Sequence, residues 1–159
     1  MRGERSIENL WQEAVPVVVG RATASLDLNT RDLVSCPTIP GMPVHRWQDE
    51  PVEELSPSLG RQVVHTETMT FARIHLRAGA CVPSHEHPNE QVATVLEGRL
   101  RFVVGDDEQI VSAGESMILP PGVPHEVEAL ADSLVLDVFS PVREDWVRGD
   151  DAYLRGRSD

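Results

Sequence analysis

Three histidines are the residues of this sequence whose types and spacing could bind a metal ion. His85 and His87 stand two positions apart. In a strand such residues point the same way, so both imidazoles could aim at one point. His125 follows the stiff proline-rich turn 120–124, which would hold it at the start of a strand. Imidazole is the commonest protein ligand for borderline divalent metals. The pattern therefore predicts a metal site.

A carboxylate in an apolar stretch is the second candidate for chemistry. Asp137 is the one charged residue within the apolar run 134–139, so both faces of this segment look covered. A carboxylate in such a place must pair with a cation or have its pKa raised, and either suits a general acid or base. The alternative is a structural ion pair with an arginine.

Short β-rich runs between turn residues must position these side chains. Residues 68–77 alternate, with Thr70, Ala72, Ile74 and Leu76 on one face. Further strands are predicted at 91–97, 99–104, 109–112, 116–119, 125–129 and 134–139, with a hairpin turn at 104–107. Many short strands with Gly/Pro turns indicate a sandwich or a small barrel.

The chain divides into three predicted segments. Residues 1–42 form an N-terminal extension with a possible helix at 7–14 and a short strand at 17–19, and it closes with a proline-rich stretch. Residues 43–143 form the barrel, and residues 144–159 form a charged tail with Trp146 and Tyr153 as anchoring aromatics. Exposed sheet edges and the spare apolar elements of the extension lead us to expect a homodimer.

Composition excludes several classes of function. The 159 residues suit one domain, and the net charge of -12 argues against nucleic acid and anionic lipid as partners. All 14 basic residues are Arg, which excludes Schiff-base chemistry and a Walker-type phosphate loop. Two cysteines make neither a zinc pattern nor a disulfide scaffold. The sequence shows no apolar run of membrane-spanning length, and we expect a cytoplasmic protein with a small-molecule substrate.

The spacing of these residues resembles the two motifs of the cupin family. The first motif matches Gly79-x5-His85-x-His87-x3-Gln91-x6-Gly98, and the second matches Gly114-x5-Pro120-x-Gly122-x2-His125. The 15 residues between them, 99–113, suit a connecting hairpin. The resemblance covers residues 44–143 and implies an all-β fold, a jelly-roll β-barrel with the metal inside its mouth.

The resemblance also implies a ligand set. Gln91 falls where the family usually has a glutamate, so one divalent transition metal ion (Zn, Ni, Fe or Mn) would be bound by His85, His87, Gln91 and His125. The alternative is three histidines plus waters. Four neutral ligands leave the ion its full double charge, which favours polarising a bound oxygen or activating water over stabilising a higher oxidation state.

The residues after the second motif resemble a narrower group. The pattern Asp137-x-Phe139-Ser140-Pro141-x-Arg143 is similar to that of the small cupins of pectin and alginate degradation, which open unsaturated uronate monomers to linear keto forms. That likeness implies that Asp137 shuttles a proton, Phe139 packs against the sugar ring and Arg143 anchors the carboxylate. Arg73 could also reach a substrate carboxylate, unless its strand face is solvated.

These observations predict a metal-dependent enzyme acting on a small oxygen-rich anion, by resemblance an unsaturated uronate. Three alternatives remain open: a cupin dioxygenase, a polyketide cyclase, and a non-catalytic sugar-binding or sensing cupin. Fold and site geometry are shared across many chemistries, so the sequence does not choose among them.

Overall fold

The computed structural model describes residues 43–155. The predictions for residues 1–42 and for the last four residues lie outside this range. The described chain begins with a 3-10 turn at Trp47–Asp49 and ends with a short helix, α1 (Glu144–Arg148), and a second 3-10 turn at Ala152–Leu154. The strands between them are β1 (Glu53–Ser56), β2 (Leu59–His65), β3 (Thr70–Leu76), β4 (Cys81–His85), β5 (Glu90–Glu97), β6 (Arg99–Val104), β7 (Asp107–Ser112), β8 (Ser116–Leu119), β9 (His125–Ala129) and β10 (Ser133–Ser140).

The strands form two antiparallel sheets. The larger sheet has the order β1-β2-β3-β10-β5-β8, and the smaller has the order β4-β9-β6-β7. From β3 to β10 the chain passes repeatedly from one sheet to the other, and only the β6–β7 hairpin stays within one sheet. Such crossing between two antiparallel sheets is typical of a jelly roll. The prediction of an all-β jelly-roll barrel is confirmed.

Alternation along the strands places the core between the sheets. Strand β3 buries every second residue, as predicted, and β10 does the same. Side chains directly opposite one another in an antiparallel sheet share a face. Phe139 is opposite Gln91 on β5 and opposite Thr70 on β3, and Asp137 is opposite Ala93 and Ala72. Two inward-facing rows of the larger sheet therefore carry the polar candidates of the sequence into the barrel.

All seven predicted strands are present in the structure, and three further strands were not predicted. Strands β6, β8 and β9 have the predicted bounds, and β3, β5, β7 and β10 differ by one or two residues at their ends. The predicted hairpin joins β6 to β7, where Gly105 takes the left-handed conformation with φ of 62°. Strands β1, β2 and β4 were not predicted as such. No helix within residues 43–155 is long and apolar enough to cross a membrane.

Candidate metal centre and its surroundings

Two of the predicted ligands meet across a pair of strands. His85 at the end of β4 is in register with His125 at the start of β9, and their ring centroids lie 4.3 Å apart. The sequence argument assumed that the alternation of a strand orients His87. His87 lies beyond the end of β4, so this part of the argument does not apply. Instead its carbonyl oxygen accepts a hydrogen bond (2.8 Å) from the amide of Gly122, in the turn before β9. This hydrogen bond between the two connecting segments therefore places His87 beside His85 and His125.

The hydrogen bonds of the three rings leave their Nε2 atoms available to bind a metal ion. One ring nitrogen of each histidine lies within 4.8 Å of the others. Each Nδ1 lies 2.8–3.0 Å from a backbone carbonyl oxygen, which can only accept a hydrogen bond, so Nδ1 carries the proton in the neutral ring. The carbonyls belong to Pro83, Asn89 and Val123. Such contacts to the second nitrogen fix the tautomer of metal-binding histidines.

Gln91 presents an acceptor to the same point. Its Nε2 donates to Oδ1 of Asp137 (3.0 Å), which turns its Oε1 to within 3.0 Å of Nε2 of His87. Two acceptors at this separation need a cation or a proton between them. Nε2 of His125 is also buried and has no hydrogen-bond partner within residues 43–155. The arrangement fits a divalent ion bound by three imidazoles and one amide oxygen.

The histidines are neutral at physiological pH, as metal ligands must be. Burial lowers the pKa of His85 to about 4, with a further contribution from His125. Burial, assisted by the positive charge of Arg143, likewise lowers the pKa of His87 to about 4. The pKa of His125 is lowered too, mainly by burial.

Asp137 lies inside the barrel between two small side chains. Its neighbours across the sheet, Ala72 and Ala93, are both buried and leave space around the carboxylate. Burial raises the pKa of Asp137 to about 7, although the hydrogen bond from Gln91 and the charge of Arg143 act in the opposite direction. The group can therefore take up or release a proton near neutral pH.

Arg143 is held among aromatic rings at the mouth of the barrel. Its guanidinium carbon lies 4.3 Å from the ring centroid of Trp146 and 4.8 Å from that of Phe139. Its Nε and Nη2 donate to the two carboxylate oxygens of Asp145, and Nη2 also donates to the hydroxyl of Tyr153. The charged tail predicted from sequence thus begins with a segment that contacts the candidate site.

Residues from this segment contact the histidine cluster and contribute to the lining of a cavity. The ring of Tyr153 stacks on His85, with centroids 4.5 Å apart and an angle of 25° between the planes. A cavity of about 50 Å³ lies beneath, with Trp146, Tyr153 and Leu154 in its lining. It has room for only a few water molecules.

The structure brings together most of the residues singled out from the sequence. The cavity lining includes His85, Gln91, His125, Asp137, Phe139 and Arg143. Arg73 is not among them. It belongs to the outward-facing set of β3, where its guanidinium lies 5.0 Å from the ring centroid of Trp47. The structure therefore does not support the predicted contact of Arg73 with a substrate at this site.

Sequence reasoning missed one residue that orders the centre. Asn89 is 2% exposed, and its carbonyl oxygen lies 3.0 Å from Nδ1 of His87. Its side-chain amide donates to the carbonyl oxygens of Pro141 and Val142, which lead into Arg143. Asn89 thus links the turn that carries His87 to the segment that carries Arg143. A lone asparagine beside a proline reads as an ordinary turn residue, so the sequence carries no signal for this role.

Known proteins resemble the part of the chain that carries the site. Residues 72–139 match the family model described as the cupin domain. An uncharacterized protein of Streptomyces coelicolor is 31% identical over 81 residues, which are 50% of this chain and 77% of that protein.

Two solved structures are similar to a larger part of the chain. The structure of KdgF from Halomonas sp. has a TM-score of 0.60 and 26% identity, over 64% of this chain and 96% of that one. An RmlC-like cupin from Shewanella frigidimarina has a TM-score of 0.61 and 28% identity, over 64% and 93% of the two chains.

Proposed function

The chain belongs to the cupin family, and from this premise we propose that it is a metal-dependent enzyme that opens an unsaturated uronate to its linear keto form. The observation that carries the proposal is the buried pair of Gln91 and Asp137. It sets a carboxylate with a pKa near neutrality beside the histidine cluster. The motif resemblance to the uronate-linearising cupins supports the choice of substrate, and so does the cationic Arg143 at the mouth.

His85, His87, His125 and Gln91 would hold the metal. A divalent ion bound by these neutral groups supplies Lewis-acid polarisation of substrate oxygens. Nε2 of His125, which has no hydrogen-bond partner in the described part of the chain, and the facing acceptors of His87 and Gln91 fit this ion.

Asp137 would move the proton. Ring opening removes the proton of the anomeric hydroxyl as the bond between the anomeric carbon and the ring oxygen breaks. The resulting enolate becomes a ketone when the former alkene carbon gains a proton. One carboxylate that first accepts and then returns a proton balances both steps, and a pKa near the working pH makes it efficient.

Arg143 and Phe139 would position the sugar. A guanidinium offers a planar fork that fits a carboxylate, and Phe139 presents its ring at the same wall of the cavity. Orientation of this kind contributes to the rate without any change in the chemistry.

The test is turnover of 4,5-unsaturated galacturonate by the metal-loaded protein under anaerobic conditions, followed by the loss of the alkene absorbance and by NMR of the product. We expect a linear keto product without oxygen consumption. Metal-loaded protein that leaves the substrate unchanged would contradict the proposal. A reaction that requires oxygen would favour the dioxygenase alternative. The cytoplasmic location and the homodimer remain predictions.

A further inference from the structure

A carboxylate of this chain already occupies one of the two edges through which Arg143 can bind a carboxylate with two hydrogen bonds. Nε of Arg143 donates to Oδ1 of Asp145 at 2.9 Å, and Nη2 donates to Oδ2 at 2.6 Å. This two-bond contact is the arrangement in which a guanidinium binds any carboxylate. Burial disfavours the charged form of Arg143 unless an anion lies beside it, and Asp145 supplies that anion.

The two partners differ in their freedom to move. The side chain of Arg143 is 1% exposed, whereas that of Asp145 is 28% exposed. The backbone amide of Arg143 donates to Thr70, and its guanidinium is stacked between Phe139 and Trp146. Asp145 therefore can rotate towards solvent, while Arg143 keeps its place in the cavity lining.

We propose that Asp145 is an internal counter-ion, which a carboxylate ligand displaces from Arg143, and that it thereby sets the affinity of the site for carboxylates. The inference rests on the proposed function, in which Arg143 binds the uronate carboxylate. Two carboxylates on one guanidinium edge repel each other, so the ligand and Asp145 exclude one another there. Asp145 is not among the residues that line the cavity, so it would act through Arg143.

The cost of leaving the buried guanidinium of Arg143 unpaired explains why Asp145 stays bound until a ligand carboxylate replaces it. Without a ligand, Asp145 prevents an unpaired guanidinium inside the barrel mouth, which would be strongly unfavourable. With a ligand, the carboxylate of Asp145 regains its hydration, and the charge of Arg143 stays balanced. The site thus stays neutralised in both states, and its affinity for carboxylates is the difference between two similar contacts.

The experiment is an NMR titration of the metal-loaded full chain with acetate, which carries only the carboxylate chemistry. The Nε–H signal of Arg143 is assigned by its absence in Arg143→Lys. We expect acetate to bind Asp145→Asn more tightly than wild type by about tenfold, since a competing charge-assisted hydrogen bond has been weakened. Asp150→Asn is the matched control, because Asp150 is an exposed carboxylate of the same segment and pairs with Arg148. It should bind acetate as wild type does.

A measurement on the wild-type protein covers the case in which Asp145→Asn does not fold. Acetate should shift the Nε–H signal of Arg143 and the carboxyl carbon signal of Asp145 with the same dissociation constant. Movement of the Arg143 signal alone would overturn the inference. So would a folded Asp145→Asn that binds acetate no more tightly than wild type, because Asp145 would then only hold Arg143 in place.

A second ligand pair separates this inference from the proposed function. D-galacturonate and neutral D-galactose are titrated into the same proteins. If acetate displaces Asp145 while galacturonate binds no better than galactose, the counter-ion role stands and the uronate assignment fails. If acetate binds to neither wild type nor Asp145→Asn, the counter-ion role fails, regardless of whether the sugars bind.

Discussion

At the residue scale, His125 is the proposed metal ligand whose loss is easiest to interpret. Its Nε2 is buried without a partner among the described residues, while its Nδ1 is held by a backbone carbonyl. We expect His125→Ala to lose most of its bound metal, because one of four ligands is removed from a site that the strands otherwise hold in place. Metal analysis of the purified variant measures this. His45→Ala is the control, because His45 is exposed and its ring packs edge-on against Trp47, away from the histidine cluster. Stoichiometric metal in His125→Ala would refute the ligand assignment.

Asp137 supports a second prediction at this scale. Asp137→Asn keeps the shape and an oxygen that accepts the hydrogen bond from Gln91, but it cannot exchange a proton at neutral pH. We expect the variant to fold and to bind metal, while turnover falls by about 10²–10⁴, the usual contribution of a general acid or base. The measurement is the rate of uronate conversion beside metal content and melting temperature.

Other outcomes for Asp137→Asn have definite meanings. A rate within about twofold of wild type would show that another group moves the proton. An unfolded variant would show that Asp137 is a structural partner in the core, whose loss commonly costs about 3–5 kcal/mol.

The residues of the site differ in how far the sequence reveals them. The histidines and Asp137 stand out because imidazoles at this spacing and a carboxylate in an apolar run are rare local patterns, whereas Gln91 is implied only by the resemblance to the first cupin motif. Asn89 and Asp145 do not stand out, since a polar residue in a turn and an acidic residue in a charged tail are common on any surface. Their roles come from contacts between segments that are distant in sequence. A single sequence carries no signal for such contacts.

At the scale of elements, the segment after β10 is attached to the barrel by buried ion pairs. The side chain of Asp151 is 1% exposed and accepts hydrogen bonds from Arg155 and from Arg61 on β2, whose side chain is 5% exposed. Glu53 on β1 pairs with the same two arginines. The guanidinium of Arg61 also lies 4.6 Å from the ring centroid of Trp146. These contacts hold Tyr153 and Leu154 over the cavity.

We therefore expect Asp151→Asn to destabilise the protein by about 3–5 kcal/mol at neutral pH, because it leaves part of a buried charge unpaired. Burial disfavours the ionised form of Asp151, but hydrogen bonds from Arg155 and Arg61 outweigh burial and lower the pKa below 3.8. A lowered pKa stabilises the fold above 3.8, and that contribution disappears as the pH falls through the folded value.

The difference in melting temperature between wild type and Asp151→Asn should thus shrink in acid. Thermal unfolding at several pH values measures it, with Asp150→Asn as the control. Asp150 is exposed, so its ion pair with Arg148 should contribute at most about 1 kcal/mol. A difference that is the same at all pH values would contradict the ion-pair explanation.

The elements themselves were predictable where one face is buried and the other is not. Strand β3 alternates cleanly, so its bounds and its inward face followed from the sequence. Strand β2 buries its first four residues, two of which are Gly60 and Arg61, and so it lacks the alternating pattern. Strand β4 contains a proline and has mostly exposed residues. Such strands form because neighbouring strands pair with them, and the local sequence pattern carries no information on that pairing.

At the scale of the whole molecule, a row of apolar side chains crosses the outer face of the larger sheet. The register sets five residues side by side on five neighbouring strands, all half-buried or exposed. In order they are Ile118, Val92, Val138, Phe71 and Val64. The outer face of the smaller sheet carries charged residues instead, since Arg101 there forms ion pairs with Glu108 and Glu128. An apolar face of this extent favours contact with another protein surface.

We expect the full chain to be a homodimer that buries this row. Ile118 is 42% exposed at the edge of the larger sheet, so Ile118→Glu should produce monomers without loss of the fold. A charge buried in a dimer interface is costly because it loses hydration without gaining a partner. Ile110→Glu is the matched control, because Ile110 is 54% exposed on the smaller sheet and belongs to no such row. Sedimentation equilibrium at micromolar concentration measures both variants. Wild-type protein that sediments as a monomer would end the prediction, and dissociation by Ile110→Glu alone would move the interface to the smaller sheet.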